Sequence, residues 1–279
     1  MTDAAQSERG VITFHVGVPK TGTTSIQRHL AANAECLASE LAVITPEPGK
    51  TLSRLAEHAA RYSLRASTEA EQKLTGSIQA LRQQVDAIPG PCLVSHETLL
   101  GASPGRAGET RLFPAAHKIL SMIDAQFAPR PVCYVVFTRE IETWKRSMHA
   151  QAVKTDQYTA PLADFLSETQ AIIGWEDLRR RLRVALEDRV SFLNMEAALT
   201  DAAPSAALLH HIGVSDRTIA EMQPMSKRLK VRPVPAALEF LRHLNTVDLS
   251  PQQRQRIVDI VTQNQSLFSR APAPSMAEL

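Results

Sequence analysis

Short runs of β-branched and other apolar residues alternate along the chain with longer stretches whose apolar positions recur every three or four residues. Residues 11–16 (VITFHV), 41–44, 93–95, 132–138 (VCYVVFT) and 190–193 are the strand candidates. The fourth is apolar almost throughout, as expected of a strand covered on both faces. From residue 69 to 88, Leu74, Ile78, Leu81 and Val85 fall on one helical face opposite Gln, Arg and Asp, which predicts an amphipathic helix. Residues 234–244 and 251–267 predict two more, the latter with Ser250 as N-cap and Pro251 at the first helical position. A helix carrying Ile26, Leu30 and Leu37 follows the first strand, and another runs from Ile141 to about Val153 after the fourth. Such alternation implies a single α/β domain over residues 10–269, with a central, mainly parallel sheet of about five strands and helices on both faces. Residues 101–108, rich in Gly, Ser and Pro, predict a long loop, and residues 1–9 and 270–279 read as flexible tails.

Composition narrows the classes of function. Apolar residues make up 44% of the 279 and charged residues 22%, which is globular. The 31 Lys and Arg against 29 Asp and Glu leave +2, so no general nucleic-acid binder is indicated and any basic site is local. Cys36, Cys92 and Cys133 lie far apart without a CxxC or a His-rich partner motif, so neither a metal site nor a disulfide framework is expected. The polar N-terminus carries no secretory signal, and no apolar run approaches the ~20 residues of a membrane span. These features describe a soluble, cytoplasmic protein.

Two segments carry candidate chemistry. The first strand runs into Gly17-Val18-Pro19-Lys20-Thr21-Gly22-Thr23-Thr24 and then into a helix. A strand, a glycine-containing turn and a helix N-terminus gather backbone N–H groups and the positive end of the helix dipole, which together suit a phosphate. The glycine spacing matches the start of a Walker A loop, but Thr23 stands where that motif needs lysine, and the lysine lies inside the turn, at Lys20. The fourth strand ends at Thr138, with Arg139 at its carboxyl end and Ser147 eight residues on, about two helical turns away. Arginine supplies a planar donor fork and serine a hydroxyl, both suited to a second phosphate. The plain alternative for Arg139 is an ion pair with Glu140 or Glu142.

Pro-Lys-Thr-Gly-Thr-Thr after an N-terminal strand, followed by Thr-Arg-Glu-Ile-Glu-Thr-Trp-Lys-Arg-Ser after a later one, resembles the sulfotransferases that use 3′-phosphoadenosine 5′-phosphosulfate (PAPS). The resemblance covers roughly the first 155 residues. It implies a P-loop-like fold and transfer of a sulfuryl group from PAPS to a hydroxyl of a carbohydrate, lipid or small-molecule acceptor, with 3′-phosphoadenosine 5′-phosphate (PAP) as product. It further implies that Pro19, Lys20, Thr21, Gly22, Thr23 and Thr24 hold the 5′-phosphosulfate and that Arg139 and Ser147 hold the 3′-phosphate. Lys20 would stabilise the departing oxygen. His96 or Glu97, at the end of the third strand, would accept the acceptor's proton, with His96 slightly preferred and Glu47 in reserve.

The chain departs from the pattern at Glu140-Ile141, where many members have Asn-Pro, and at Ser25, where an aromatic usually stacks on adenine. Residues 226–232 (SKRLKVR) match a late phosphate-closing element poorly and read as a solvated basic loop. Arg179, Arg180, Arg181 and Arg183 read as a solvated helix face, His58 and Glu47 as surface or capping groups, and Trp144 as a core residue. The competing functions are an ATP-using phosphotransferase and a catalytically inactive nucleotide-binding protein of the same fold.

Overall fold

A computed structural model describes residues 10–198, 200, 202–225 and 233–269. Strands β1 (Ile12–His15), β2 (Ala42–Ile44), β3 (Cys92–Ser95), β4 (Val132–Thr138) and β5 (Val190–Asn194) form one sheet, all parallel, in the order β2-β3-β1-β4-β5. The expected α/β class, parallel sheet and five strands are all present. The chain leaves the central β1 towards β2 and β3 on one side and later reaches β4 on the other. The carboxyl ends of β1 and β4 therefore flank a crevice of the kind where open α/β sheets bind ligands.

Alternation along the strands sorts the side chains into two cores. Phe14, Val94, Tyr134 and Val136 face helices α3 (Thr51–Leu64), α4 (Thr68–Asp86), α5 (Ala116–Phe127) and α8 (Glu176–Leu186). Leu93, Val135 and Phe137 face Ile26 and Leu30 of α1 (Thr23–Ala32) and Leu208 and Leu209 of α10 (Ala206–His211). The predicted face of α4 is fully buried at Leu74, Ile78, Leu81 and Val85, and Ser67 caps its start by accepting the Ala70 N–H. A third cluster packs Val153 of α6 (Ile141–Thr155) against α12 (Pro235–Leu244) and α13 (Pro251–Gln263). The short helices α2 (Ala34–Leu37), α7 (Leu162–Glu168), α9 (Met195–Ala198) and α11 (Asp216–Glu221) complete the set among the described residues.

Three expectations need correction. The helix expected through Leu37 breaks at Asn33, whose side chain donates to the carbonyls of His29 and Gln223 and accepts the Gln223 N–H. Bonding a distant segment takes precedence there over helix continuity. The last helix starts at Pro251 with the Ser250–Gln253 capping box but ends at Gln263, and a 3₁₀ turn, Gln265–Phe268, follows. Among the arginines of α8, Arg180 and Arg183 are exposed, but Arg181 donates to the carbonyls of Leu112 and Phe113, and Arg179 lies 4.9 Å over the Phe192 ring. The face expected to be solvated is half covered by the loop before α5 and by β5. The terminal segments 1–9 and 270–279 and the basic stretch 226–232 lie outside the described residues.

Arg130, 9% exposed, fastens the opposite edge of the sheet by donating to the carbonyls of Gly10, Val85 and Gly90. Arg130→Ala would strand three carbonyls and is expected to cost about 2–3 kcal/mol, read as a lower urea midpoint with unchanged slope.

Candidate functional site

β3, β1 and β4 lie side by side and run parallel, so the three segments that follow them leave the same edge, β4 running three residues beyond the register of His15 with Val135. The loop after β1 is closely packed. Gly17 has φ +65°, and a Cβ there would stand 2.6 Å from the Glu97 Cα, so only glycine fits. Lys20 has φ +72°, a left-handed conformation that costs a non-glycine residue roughly 1–2 kcal/mol. Its surroundings impose that geometry. The Trp144 indole N–H donates to the Pro19 carbonyl at 2.9 Å, Arg139 Nη1 donates to the Lys20 carbonyl at 3.1 Å, and the Thr21 hydroxyl donates to the Val18 carbonyl at 2.6 Å.

Because the peptide bonds here are trans, each N–H points opposite to its own carbonyl. Holding the carbonyls of Pro19 and Lys20 towards α6 therefore turns the N–H groups of Lys20 and Thr21 the other way. The loop then enters α1 through Gly22 (φ +82°), with no side chain capping the helix start. The positive end of the helix dipole thus stands at the end of this loop, a geometry that favours an anion.

Arg139 leaves β4 beside this loop, and its Nη1 stands 3.5 Å from the Ser147 Oγ. Neither acidic partner considered from sequence takes it. Glu140 instead caps α6, accepting the N–H groups of Glu142 and Thr143, while Glu142 pairs with Lys145 at 3.1 Å. The nearest carboxylate is Glu196, just past β5, at 3.6 Å from Arg139 Nε. The two form an ion pair at that length rather than a hydrogen bond, and the nitrogen is buried. A cleft of about 490 Å³, lined by Thr138, Arg139, Trp175, Arg179, Asn194 and Glu196 among others, opens next to it.

From β3, Glu97 extends over the loop and accepts the Thr23 hydroxyl at 2.7 Å. His96 turns elsewhere. Its Nδ1 accepts the Thr98 N–H at 3.1 Å, so the neutral ring carries its proton on Nε2 and is a donor there. Burial pushes its pKa down to about 4, so it is neutral at pH 7. Beneath the pair, fully buried His15 meets the Ser95 hydroxyl at 2.8 Å, and burial lowers its pKa to about 3. His58 is absent from this edge and instead joins α3 to α4 through Ser77.

Sequence reading overlooked Trp175, which donates to the Arg139 carbonyl at 2.7 Å, along with Glu196, Arg179 and the His15–Ser95 pair. Glu196 had a usable signal, since it follows a strand that ends on the same edge. Trp175 had none, because it enters from the turn before α8. Comparison with protein-family models and with curated proteins gives no match.

Two outcomes follow. Gly17→Ala, whose Cβ would stand 2.6 Å from the Glu97 Cα, should destabilise the protein, measured as a lower urea midpoint. Stability should also fall with acid. Unfolded histidine takes up protons near pH 6.5 and folded His96 only near 4, so its contribution is complete above about 6.5 and is lost as pH drops through that window. His96→Gln should make the pH dependence of the urea midpoint between 6.5 and 4 shallower.

Proposed function

We propose that the chain is a PAPS-dependent sulfotransferase acting on a hydroxyl-bearing acceptor. One observation carries the reading: Arg139 Nη1 lies 3.1 Å from the Lys20 carbonyl, so the arginine and the loop, separated by 119 residues and each expected to hold a phosphate, adjoin on one sheet edge. A nucleotide with phosphate groups at both its 5′ and 3′ positions suits such a pair. The 3.5 Å approach of Arg139 Nη1 to the Ser147 Oγ supports the same reading, since a guanidinium and a hydroxyl side by side suit one anion.

In the proposed reaction the acceptor oxygen bonds to sulfur as the bond from sulfur to the 5′-phosphate oxygen breaks. The acceptor's proton passes to Glu97, and the charge left on the phosphate is stabilised by Lys20 and the loop amides. Glu97 suits the base better than His96, because a carboxylate accepts protons, whereas the His96 lone pair is already engaged by Thr98. The Thr23 hydroxyl orients the carboxylate. Arg139 and Ser147 hold the 3′-phosphate and fix the donor's register. The ATP-using alternative has less support. Thr23 replaces the Walker lysine, and β4 ends in Thr138-Arg139 instead of an acid suited to Mg²⁺.

Thermal unfolding with adenosine 3′,5′-bisphosphate tests the binding half. At about 100 times its dissociation constant the ligand should add about 2.7 kcal/mol, with the effect lost in Lys20→Ala and Arg139→Ala. Stabilisation by ATP·Mg²⁺ with none by the bisphosphate would favour the phosphotransferase. For the chemistry, Glu97→Gln should keep bisphosphate binding and lower sulfate transfer by about 100-fold or more, and His96→Gln should lower it far less. Equal losses in the two variants would remove Glu97 from its role.

A further inference from the structure

Trp144 and Trp175 make a contact that neither the loop motif nor the arginine–serine pair explains. They come from different elements, α6 and the turn before α8, and both are buried, at 0% and 7% exposure. Their rings meet edge to face with centroids 4.9 Å apart, and Phe113 lies against Trp144 at 6.2 Å. Each spends its single N–H on a backbone carbonyl of the site. Trp144 holds the Pro19 carbonyl at 2.9 Å, on the loop proposed for the 5′-phosphosulfate, and Trp175 holds the Arg139 carbonyl at 2.7 Å, on the residue proposed for the 3′-phosphate.

We infer that Trp144 and Trp175 form a clamp that sets the separation of the two anion sites and thereby selects ligands carrying two phosphate groups over ligands carrying one. The inference rests on the sulfotransferase reading for the identity of the ligand. The physical argument concerns the backbone. Lys20 occupies a strained left-handed conformation, and Arg139 lies just beyond the end of β4, so neither position is held by regular secondary structure alone. A pair of rigid, mutually packed indoles, each bonded to one of these segments, ties them to each other. A ligand that touches only the loop gains little from that tie. A ligand that spans both sites gains, because the spacing it needs is set before it arrives. The tryptophans are thus positioning residues and touch no reacting atom.

The experiment replaces the N–H and keeps the ring. Trp144→Phe and Trp175→Phe, and at each position the isosteric benzothienylalanine should phenylalanine not fold, are titrated calorimetrically with adenosine 3′,5′-bisphosphate and with adenosine 5′-monophosphate. The expected result is a loss of about tenfold in affinity for the bisphosphate in each variant, with monophosphate affinity within about twofold of the wild type in Trp175→Phe and, because Trp144 also holds the loop, a smaller loss for the monophosphate than for the bisphosphate in Trp144→Phe. An equal fall for both ligands would reduce the tryptophans to ordinary core packing, and no fall for either would remove the clamp. Both of those results presuppose a wild-type protein that binds the bisphosphate. A wild type that binds none overturns the sulfotransferase reading first, and the ligand selection with it.

Discussion

The geometry of the candidate site depends on where two carbonyl oxygens point. Those of Pro19 and Lys20 are held by donors from β4 and α6, and planar peptide units then direct the neighbouring amides the opposite way. A loop left to local preference would not hold Lys20 at φ +72°. The strain is borne because Trp144, Arg139 and the Thr21–Val18 bond jointly over-determine it, the usual condition for strained backbone to persist. Fold and site are therefore coupled. The sheet order puts β4 next to β1, and only that adjacency lets side chains that follow one strand hold the backbone that follows the other.

The polar interior under the loop has a related logic. At the ends of β1 and β3 the His15 carbonyl accepts the His96 N–H, and His15 bonds Ser95 and Thr23 bonds Glu97 side chain to side chain. Beneath the loop, the neutral imidazole and the Ser95 hydroxyl satisfy each other without burying a net charge. His15 has no hydrogen-bond partner at Nε2, the one unsatisfied position of that cluster. Gln27 adds a weak bond at 3.4 Å from α1 to the Ser95 carbonyl, linking the helix that begins at the loop to the strand that supplies Glu97. Farther along α1, His29 and Asn33 tie the helix to Ser205 and Gln223, so the later segments brace the helix that the loop after β1 leads into.

Much of this was legible in the residues themselves. The strands were visible because buried parallel strands need unbroken apolar runs, and α4 because its apolar spacing matches one helical face. The loop was visible because glycine is favoured where the backbone turns left-handed and needed where another segment comes close, as Gly17 shows against Glu97. Segments whose order depends on distant partners were less legible. The break at Asn33, the inward turn of Arg181 and the stacking of Arg179 on Phe192 each follow from a contact more than ten residues away.

The sequence by itself determined the class of fold, the order of strands and helices along the chain, and the chemistry available after β1, β3 and β4, since periodicity and turn residues are local physics. The tertiary structure alone decided which partner each of those groups takes. It gave Arg139 the Lys20 carbonyl in place of Glu140 or Glu142, brought Glu97 to Thr23, and introduced Trp175 from far along the chain. The reason is physical: a side chain's partner is set by the strand that lies beside its own, and strand order is a property of the folded sheet that no local pattern encodes.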